Sequence, residues 1–155
     1  MQKLPVIPFT KEGYDQIQKE YNEKKENRKE AVGELSKARA MGDLSENGYY
    51  KAAKMNLVSI DARLRKLAFL LRFGKVTEQI STNVVAMGLS VIVKHEQKDK
   101  IFYIVGEEEA DPLIGKISYK SPLGRELIGK KVGDNIKFIA PKGLQIYSIV
   151  EIKHY

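Results

Sequence analysis

The residues of this chain best suited to chemistry are two carboxylic acids, Asp43 and Glu46, which lie three positions apart in the stretch MGDLSEN of residues 41–47. Carboxylate oxygens are ligands that Mg²⁺ commonly takes, together with water and phosphate oxygens. Basic side chains flank the pair on both sides: Lys37, Arg39, Lys51 and Lys54. The pattern indicates a site that presents carboxylates to a cation while it approaches phosphate groups.

A purely structural role explains the same two acids. The spacing of Asp43 and Glu46 is that of a capping box, in which Asp43 would be the N-cap of a helix and Glu46 its third residue. Acidic groups at a helix N-terminus also interact favourably with the helix dipole. The local sequence leaves both roles open, although a cap has no need of the surrounding cations.

Two long helical patterns meet at this stretch. Residues from Thr10, the predicted N-cap, to about Met41 are rich in Glu, Lys, Gln and Ala, and Gly42 is the predicted stop. A second pattern runs to Phe73 before Gly74, with apolar residues at spacings of three and four: Tyr50, Ala53, Leu57, Ile60, Leu64, Leu67 and Leu71. An antiparallel coiled-coil hairpin would hold the two acids at its far tip.

The matching seam of the first helix is weak in the middle. It comprises Tyr14, Ile17, Tyr21, Arg28, Val32 or Ala31, Leu35 and Ala38. Lys24, Lys25 and Arg28 can bury only their stems there, and Gly33 lowers helix stability by about 1 kcal/mol relative to alanine. We expect residues 24–34 to be a mobile waist.

The composition changes after Gly74. Short β-branched and aromatic segments, separated by Gly, Asp and Pro turns, predict strands near residues 84–87, 89–93, 101–105, 135–139 and 146–150. Ser121-Pro122 followed by residues 125–128 predicts one short helix. The predicted fold class is α+β, with a hairpin over residues 1–76 whose acidic tip lies near 42–47. A small domain with a mainly antiparallel sheet follows over residues 77–155.

Charge is unevenly distributed over the 155 residues. The formal net charge is +7, and residues 1–75 hold 16 basic against 10 acidic residues, compared with 11 against 10 in residues 76–155. A basic helical half indicates a polyanionic partner, of which nucleic acid is the commonest, or simply a solvated helix face. Charge alone leaves both interpretations open.

Composition also excludes several kinds of site. The chain has no cysteine, which rules out disulfides and thiol chemistry, and His95 and His154 show no ligand spacing. The sequence contains neither an apolar run near the ~20 residues of a membrane-spanning helix nor the apolar core of a signal peptide. We expect a soluble, cytoplasmic protein.

Three stretches of the chain together resemble one known family. They are RxxGDLSENxxYxxAK over residues 39–54, GEEEAD over 106–111 and SPLGRELIGK over 121–130. They are similar to motifs of the Gre (GreA/GreB) family of bacterial transcript-cleavage factors, in the same order over essentially the whole chain. The chain departs from the family pattern at Gly48, where alanine is usual. It also departs after Lys54, where the family usually continues with acidic or amide residues and this chain has Met55-Asn56-Leu57.

The resemblance implies a specific mechanism. Gre factors insert their coiled coil through the secondary channel of a backtracked RNA polymerase, and the tip acids help the polymerase cut its own extruded RNA at the nascent 3′ end. By position, Asp43 would help to coordinate a second Mg²⁺ shared with the polymerase active site. Glu46 would orient or deprotonate the attacking water. The protein would bind no cofactor alone, would not be an enzyme by itself, and is expected to be a monomer without a membrane partner.

Four residues near the tip are further candidates for contact with RNA or polymerase. Arg39 and Lys54 are expected to meet RNA phosphate or polymerase carboxylates, whereas solvent exposure explains Lys51 equally well. Tyr50 begins the heptad seam, so either packing or contact explains it. Asn47 and Ser45 are expected to support the local turn.

The second domain is expected to dock at the channel rim, since the resemblance implies a fold similar to FKBP prolyl isomerases. Its aromatic residues alternate along strands and indicate core positions, so we favour a docking module over an isomerase. Arg125 on the short helix is the candidate docking contact, or else a surface residue without a role. The acidic run 107–111 is a solvated loop or a patch for a basic partner.

Two other functions remain open. A Gre-like channel binder that inhibits polymerase would share the architecture, although the two acids argue against it. A basic coiled-coil nucleic-acid binder with a merely capped tip would bind free RNA with strong salt dependence.

Overall fold

The computed structural model describes residues 6–42, 47–77, 81–141 and 143–155. The described residues form two compact units, one made of Tyr14–Gly74 and the other of Val6–Gly13 together with Lys75–Tyr155. The sequence analysis assigned residues 6–13 to the hairpin. They belong instead to the second unit, in which Thr10 is hydrogen-bonded to Glu109. Strand β1 (Ile7–Phe9) pairs with strand β2 (Gly74–Val76).

The first unit is built from two long helices. Helix α1 spans Lys11–Ala40 and helix α2 spans Gly48–Phe73. Thr10 Oγ1 accepts a hydrogen bond from the Gly13 N–H at 3.0 Å, as predicted for an N-cap. At the C-terminal end of α2, the Gly74 N–H donates to the Leu70 carbonyl. Among the described residues, no helix is both long and apolar enough to cross a membrane.

The two helices run antiparallel, as the coiled-coil prediction requires. Cross-helix contacts join later residues of α1 to earlier residues of α2, from Tyr14 with Leu71, through Glu20 with Arg63, to Ala38 with Asn47. The predicted seam is buried at several positions of both helices: Ile17, Ala31, Leu35, Ala38, Ala53, Ile60 and Leu67. Of the two alternatives at the waist, Ala31 is buried and Val32 is 43% exposed.

The second unit contains a five-stranded mixed sheet of order β5-β4-β3-β7-β6. All neighbours are antiparallel except β4 and β5, which are parallel. The strands are β3 (Leu89–His95), β4 (Lys98–Val105), β5 (Lys116–Ser118), β6 (Asn135–Ala140) and β7 (Gly143–His154). The mainly antiparallel α+β prediction is therefore confirmed.

One face of this sheet carries the core of the second unit. Val91, Val93, Ile104 and Ile149 are buried there under helix α3 (Pro122–Leu127). Ser121 caps α3 by accepting a hydrogen bond from the Gly124 N–H. A Cβ atom at Gly124 would overlap the Ser118 carbonyl oxygen, so only glycine allows the helix to lie this close to β5.

The predicted strand at residues 84–87 is wrong. The segment is irregular, although Val85 and Met87 are buried in the core as their apolar character suggests. Its backbone bonds to the loop after α3, with the Val85 N–H donating to the Lys130 carbonyl and the Gly129 N–H donating to the Val85 carbonyl. An apolar run can thus be buried without joining the sheet when loop groups satisfy its backbone.

Candidate functional site at the hairpin tip

The two acids predicted to do the chemistry lie outside the described residues. Asp43 and Glu46 fall in the segment 43–46, and the structure describes the residues on either side of it. On one side α1 ends at Ala40 and Gly42 adopts a positive φ of 102°, which suits glycine. On the other side Asn47 precedes the first residue of α2.

Helix α2 is capped by a residue other than Asp43, whose own geometry lies outside the described residues. The N-cap of α2 is Asn47, with φ −80° and ψ 95°, and its side-chain Oδ1 accepts a hydrogen bond from the Tyr50 N–H at 3.1 Å. Asparagine is as good an N-cap as aspartate, so the helix can begin four residues later than the capping box predicts. The first turn of α2 as described therefore begins at Gly48, after Asp43 and Glu46 in the sequence.

The side chain of Asn47 has a second partner on the other helix. Its Nδ2 donates to the Ala38 carbonyl oxygen at 3.1 Å, and this bond is partly buried. Ala38 lies in the last turn of α1, where carbonyl groups lack a partner within the helix, although the Met41 N–H also reaches this oxygen at 3.3 Å. The amide of Asn47 thus joins the end of α1 to the start of α2, which is the turn-supporting role expected of it.

A small apolar cluster lies beneath this connection. Leu35, Ala38 and Ala53 are buried together, and Tyr50 and Leu57 pack against them half-buried. The packing interpretation of Tyr50 is therefore confirmed. A contact of its ring with RNA or polymerase stays a prediction.

Tyr49 is a tip residue that the sequence analysis missed. Its hydroxyl donates to a Glu34 carboxylate oxygen across the hairpin, and the other Glu34 oxygen accepts from Lys37 Nζ at 2.8 Å. Both bonds lower the pKa of Glu34, and the bond from Lys37 has the larger effect. Lys37, which the sequence grouped with the tip cations, therefore has an acidic partner of its own. The signal in the sequence was the pair of adjacent tyrosines, Tyr49 and Tyr50. Adjacent residues of a helix point in different directions, so only one of the two could lie in the seam and the other had to make a different contact.

The three other cations near the tip are exposed. Arg39 lies in the last turn of α1, and Lys51 and Lys54 lie in the first two turns of α2. Within the described ranges none of the three has an acidic partner. Their exposure is what a contact with an anionic ligand requires, and that contact stays a prediction for Arg39 and Lys54. Exposure does not distinguish Lys51 from these two residues.

A cation site is not formed by the described residues themselves. Over residues 6–42, 47–77, 81–141 and 143–155, no three His, Asp or Glu side chains lie together in a way that could hold a metal ion. The carboxylates suited to that task are Asp43 and Glu46, whose geometry lies outside those ranges.

The second unit presents a separate surface around Arg125. This residue is exposed on α3 and lines a cavity of about 370 Å³ together with Pro122 and Lys137. A neighbouring cavity of about 490 Å³ shares Pro122 and is lined by three aromatic rings: Phe102, Phe138 and Tyr147. Alternation along the strands predicted core positions for these aromatic residues. Tyr147 is buried, but all three rings also form the wall of an open groove, which alternation along strands does not reveal.

The acidic run of residues 107–111 has a structural role that the sequence did not predict. Glu109 accepts hydrogen bonds from the Thr10 N–H at 2.8 Å, from the Thr10 hydroxyl and from the Gly106 N–H at 3.3 Å. Glu107 pairs with Lys120 at 2.7 Å. Glu109 is therefore not simply a solvated loop residue, whereas Glu107 is exposed to solvent in its pair with Lys120.

Two sequence profiles match the chain along nearly its whole length. The profile described as "Transcription elongation factor, N-terminal" matches residues 7–76, and the profile "Transcription elongation factor, GreA/GreB, C-term" matches residues 80–154. The chain belongs to the GreA/GreB family of transcription elongation factors. The resemblance stated from the three motifs is thereby confirmed.

Individual members of the GreA/GreB family are similar over almost all of both chains. The transcription elongation factor GreA of Thermosipho melanesiensis is 42% identical, covering 97% of this chain and 99% of the relative. GreA of Nitratiruptor sp. is also 42% identical, covering 94% and 91%. Among solved structures, GreA factor homolog 1 (Gfh1) of Thermus thermophilus is 28% identical with a TM-score of 0.46, covering 95% and 98%.

Proposed function

We propose that this GreA/GreB factor inserts its hairpin into the secondary channel of RNA polymerase and stimulates Mg²⁺-dependent cleavage of backtracked RNA. The observation that carries the proposal is the cap of α2, which Asn47 supplies. Since Asp43 and Glu46 are not needed to cap that helix, their presence at the end of the hairpin calls for another role.

The charges around the tip support the same proposal. Arg39, Lys51 and Lys54 are exposed on the last turn of α1 and the first turns of α2. Cations at these positions would attract RNA phosphate groups and offset the repulsion between the phosphates and the two acids. A capped but inactive tip would have no use for this arrangement.

The expected chemistry divides between the factor and the polymerase. When bound, Mg²⁺ supplies charge neutralisation and an activated water for in-line displacement at a phosphate. Asp43 would be a shared ligand of that ion, because two carboxylates fall short of the six ligands that Mg²⁺ takes. Glu46 would orient the attacking water and accept its proton. The factor would therefore be an active-site component without independent activity.

Docking would be the task of the second unit. The aromatic groove beside Pro122 offers apolar surface, and Arg125 and Lys137 place positive charge beside it. We propose that this groove takes the coiled coil of the polymerase large subunit at the channel rim. Arg125→Glu should weaken binding several-fold, whereas Lys131→Glu, the same charge change at an exposed lysine outside the groove lining, should not.

The test uses a stalled, backtracked bacterial polymerase with 5′-labelled RNA and Mg²⁺. Wild type should shorten the RNA, whereas Asp43→Asn and Glu46→Gln should each bind polymerase normally and fail to stimulate cleavage. Glu30→Gln removes one exposed acid from the same hairpin and should cleave like wild type.

Other outcomes identify the rival functions. Wild type that binds and slows elongation without cleaving would make the protein an inhibitory channel binder. Tight, salt-dependent binding of free RNA without polymerase would favour the nucleic-acid-binding alternative.

A further inference from the structure

We propose that Asn47 is a positioning residue for the tip acids, because its side-chain amide connects the two helix ends between which Asp43 and Glu46 lie. This inference rests on the proposed function, since the position of the acids matters only if they take part in cleavage. It concerns a side chain outside the predicted metal and water contacts.

The two hydrogen bonds of Asn47 require different atoms of the amide. Oδ1 accepts from the Tyr50 N–H and Nδ2 donates to the Ala38 carbonyl, each at 3.1 Å. Capping alone requires only an acceptor, which serine or aspartate provides equally well. The contact with Ala38 also requires a donor, and the amide of Asn47 supplies both groups.

The bond to Ala38 closes the tip of the hairpin. It joins residues nine positions apart in the chain, so a hydrogen bond links the two ends of the segment between them. The bond is partly buried above the Leu35, Ala38 and Ala53 cluster, which limits competition from water. Without it, the chain between the helices would have more freedom, and the acids would be presented over a wider range of positions.

Other contacts also hold the two helices together near the tip. Tyr49 still reaches Glu34 across the helices, and the apolar cluster beneath the tip is untouched by a change at Asn47. Loss of the amide should therefore disturb the presentation of the acids while the helices remain paired. Since a misplacement of about 1 Å can lower the rate of a reaction by about 100-fold, a partial loosening should lower it by about tenfold.

The decisive variant is Asn47→Ser, which keeps an N-cap oxygen for Tyr50 but is too short to reach Ala38. Asn56→Ser is the matched control, since Asn56 is exposed on the same helix and lies away from the tip. We would measure the cleavage rate of a backtracked polymerase complex at saturating factor, the factor concentration at half-maximal rate, the melting temperature, and the hydrogen-exchange protection of the Tyr50 amide.

The expected result for Asn47→Ser is a maximal rate about tenfold below wild type. Its half-saturating concentration and Tyr50 protection should match those of Asn56→Ser, and its melting temperature should be lower by no more than a few degrees, the effect of losing one hydrogen bond. An unchanged maximal rate would overturn the positioning role and leave the proposed function intact. A loss confined to melting temperature or binding would reduce Asn47 to a structural cap and would also overturn it. A wild type that binds but does not cleave would overturn the proposed function, and this inference with it.

Discussion

Glu20 and Arg63 form a two-bond ion pair across the hairpin, with the Arg63 Nε and Nη2 atoms each 2.6 Å from a different carboxylate oxygen of Glu20. Arg28 and Asp61 make a second cross-helix pair at 2.6 Å. Arg28 lies in the waist of residues 24–34, where the apolar seam is weak, and Glu20 lies one turn before it, so directed charge pairs supplement the apolar packing there.

The Glu20–Arg63 pair should contribute measurably to stability. A double-mutant cycle with Glu20→Gln and Arg63→Gln should give a coupling free energy of about 1 kcal/mol, at the upper end for partly exposed pairs because the geometry is bidentate. The Glu26–Lys29 pair on the surface of α1 is the control and should give at most about 0.5 kcal/mol. Equal coupling free energies for the two pairs, measured by urea unfolding, would show that the cross-helix geometry adds nothing to the stability.

The same pair predicts a pH dependence. Hydrogen bonding to Arg63 lowers the pKa of Glu20 below its usual 4.5, so folding favours the ionised carboxylate. This contribution is complete above pH 4.5 and is lost as the pH falls through the lowered pKa of the folded state. The free energy of unfolding of wild type should therefore approach that of Glu20→Gln in this acid range. A constant difference between the two proteins across the range would contradict the assignment.

The two candidate caps of α2 should differ in their effect on stability. Asn47→Ala removes the observed cap and should destabilise the protein by about 1 kcal/mol. Asp43→Ala should change the free energy of unfolding by less than about 0.5 kcal/mol, because Asp43 precedes the capped helix. Chemical denaturation compares them directly, and a larger effect from Asp43→Ala would restore its capping role.

Two glycines on helices should respond in opposite ways to a methyl group. Gly124→Ala should destabilise the protein by about 1–3 kcal/mol, because the added Cβ overlaps the Ser118 carbonyl. Gly33→Ala should stabilise it by about 0.5–1 kcal/mol, since its Cβ would point into open space on α1. Thermal unfolding of the two variants measures both effects, and similar shifts would refute the close approach of α3 to β5.

The waist should open more readily than the tip. Residues 24–34 contain a single buried apolar side chain, Ala31, whereas Leu35 and Ala38 pack against α2 beneath the tip. Amide hydrogen exchange should be faster in residues 24–34 than in residues 35–39. Gly33→Ala should slow exchange at the waist, and uniform protection along α1 would contradict the prediction.

Periodicity and local chemistry were sufficient to predict much of this protein. The spacing of Ile60 and Leu67 defines a seam at helical period, and Thr10 and Gly74 mark helix ends, because these signals act within a few residues. The motifs at residues 39–54 and 121–130 likewise identified the family before any contact was known.

Tertiary contacts decided what those local signals left ambiguous. Asp43 and Asn47 are comparable as caps, and the bond from Asn47 to Ala38 exists only when the two helix ends meet. Tyr49 and Glu34 are likewise distant in sequence, and the aromatic groove forms only when β4, β7 and β6 are brought into one sheet. Local sequence patterns reflect the conformational preferences of a single segment. These features depend instead on which distant groups the fold brings within hydrogen-bonding or packing distance.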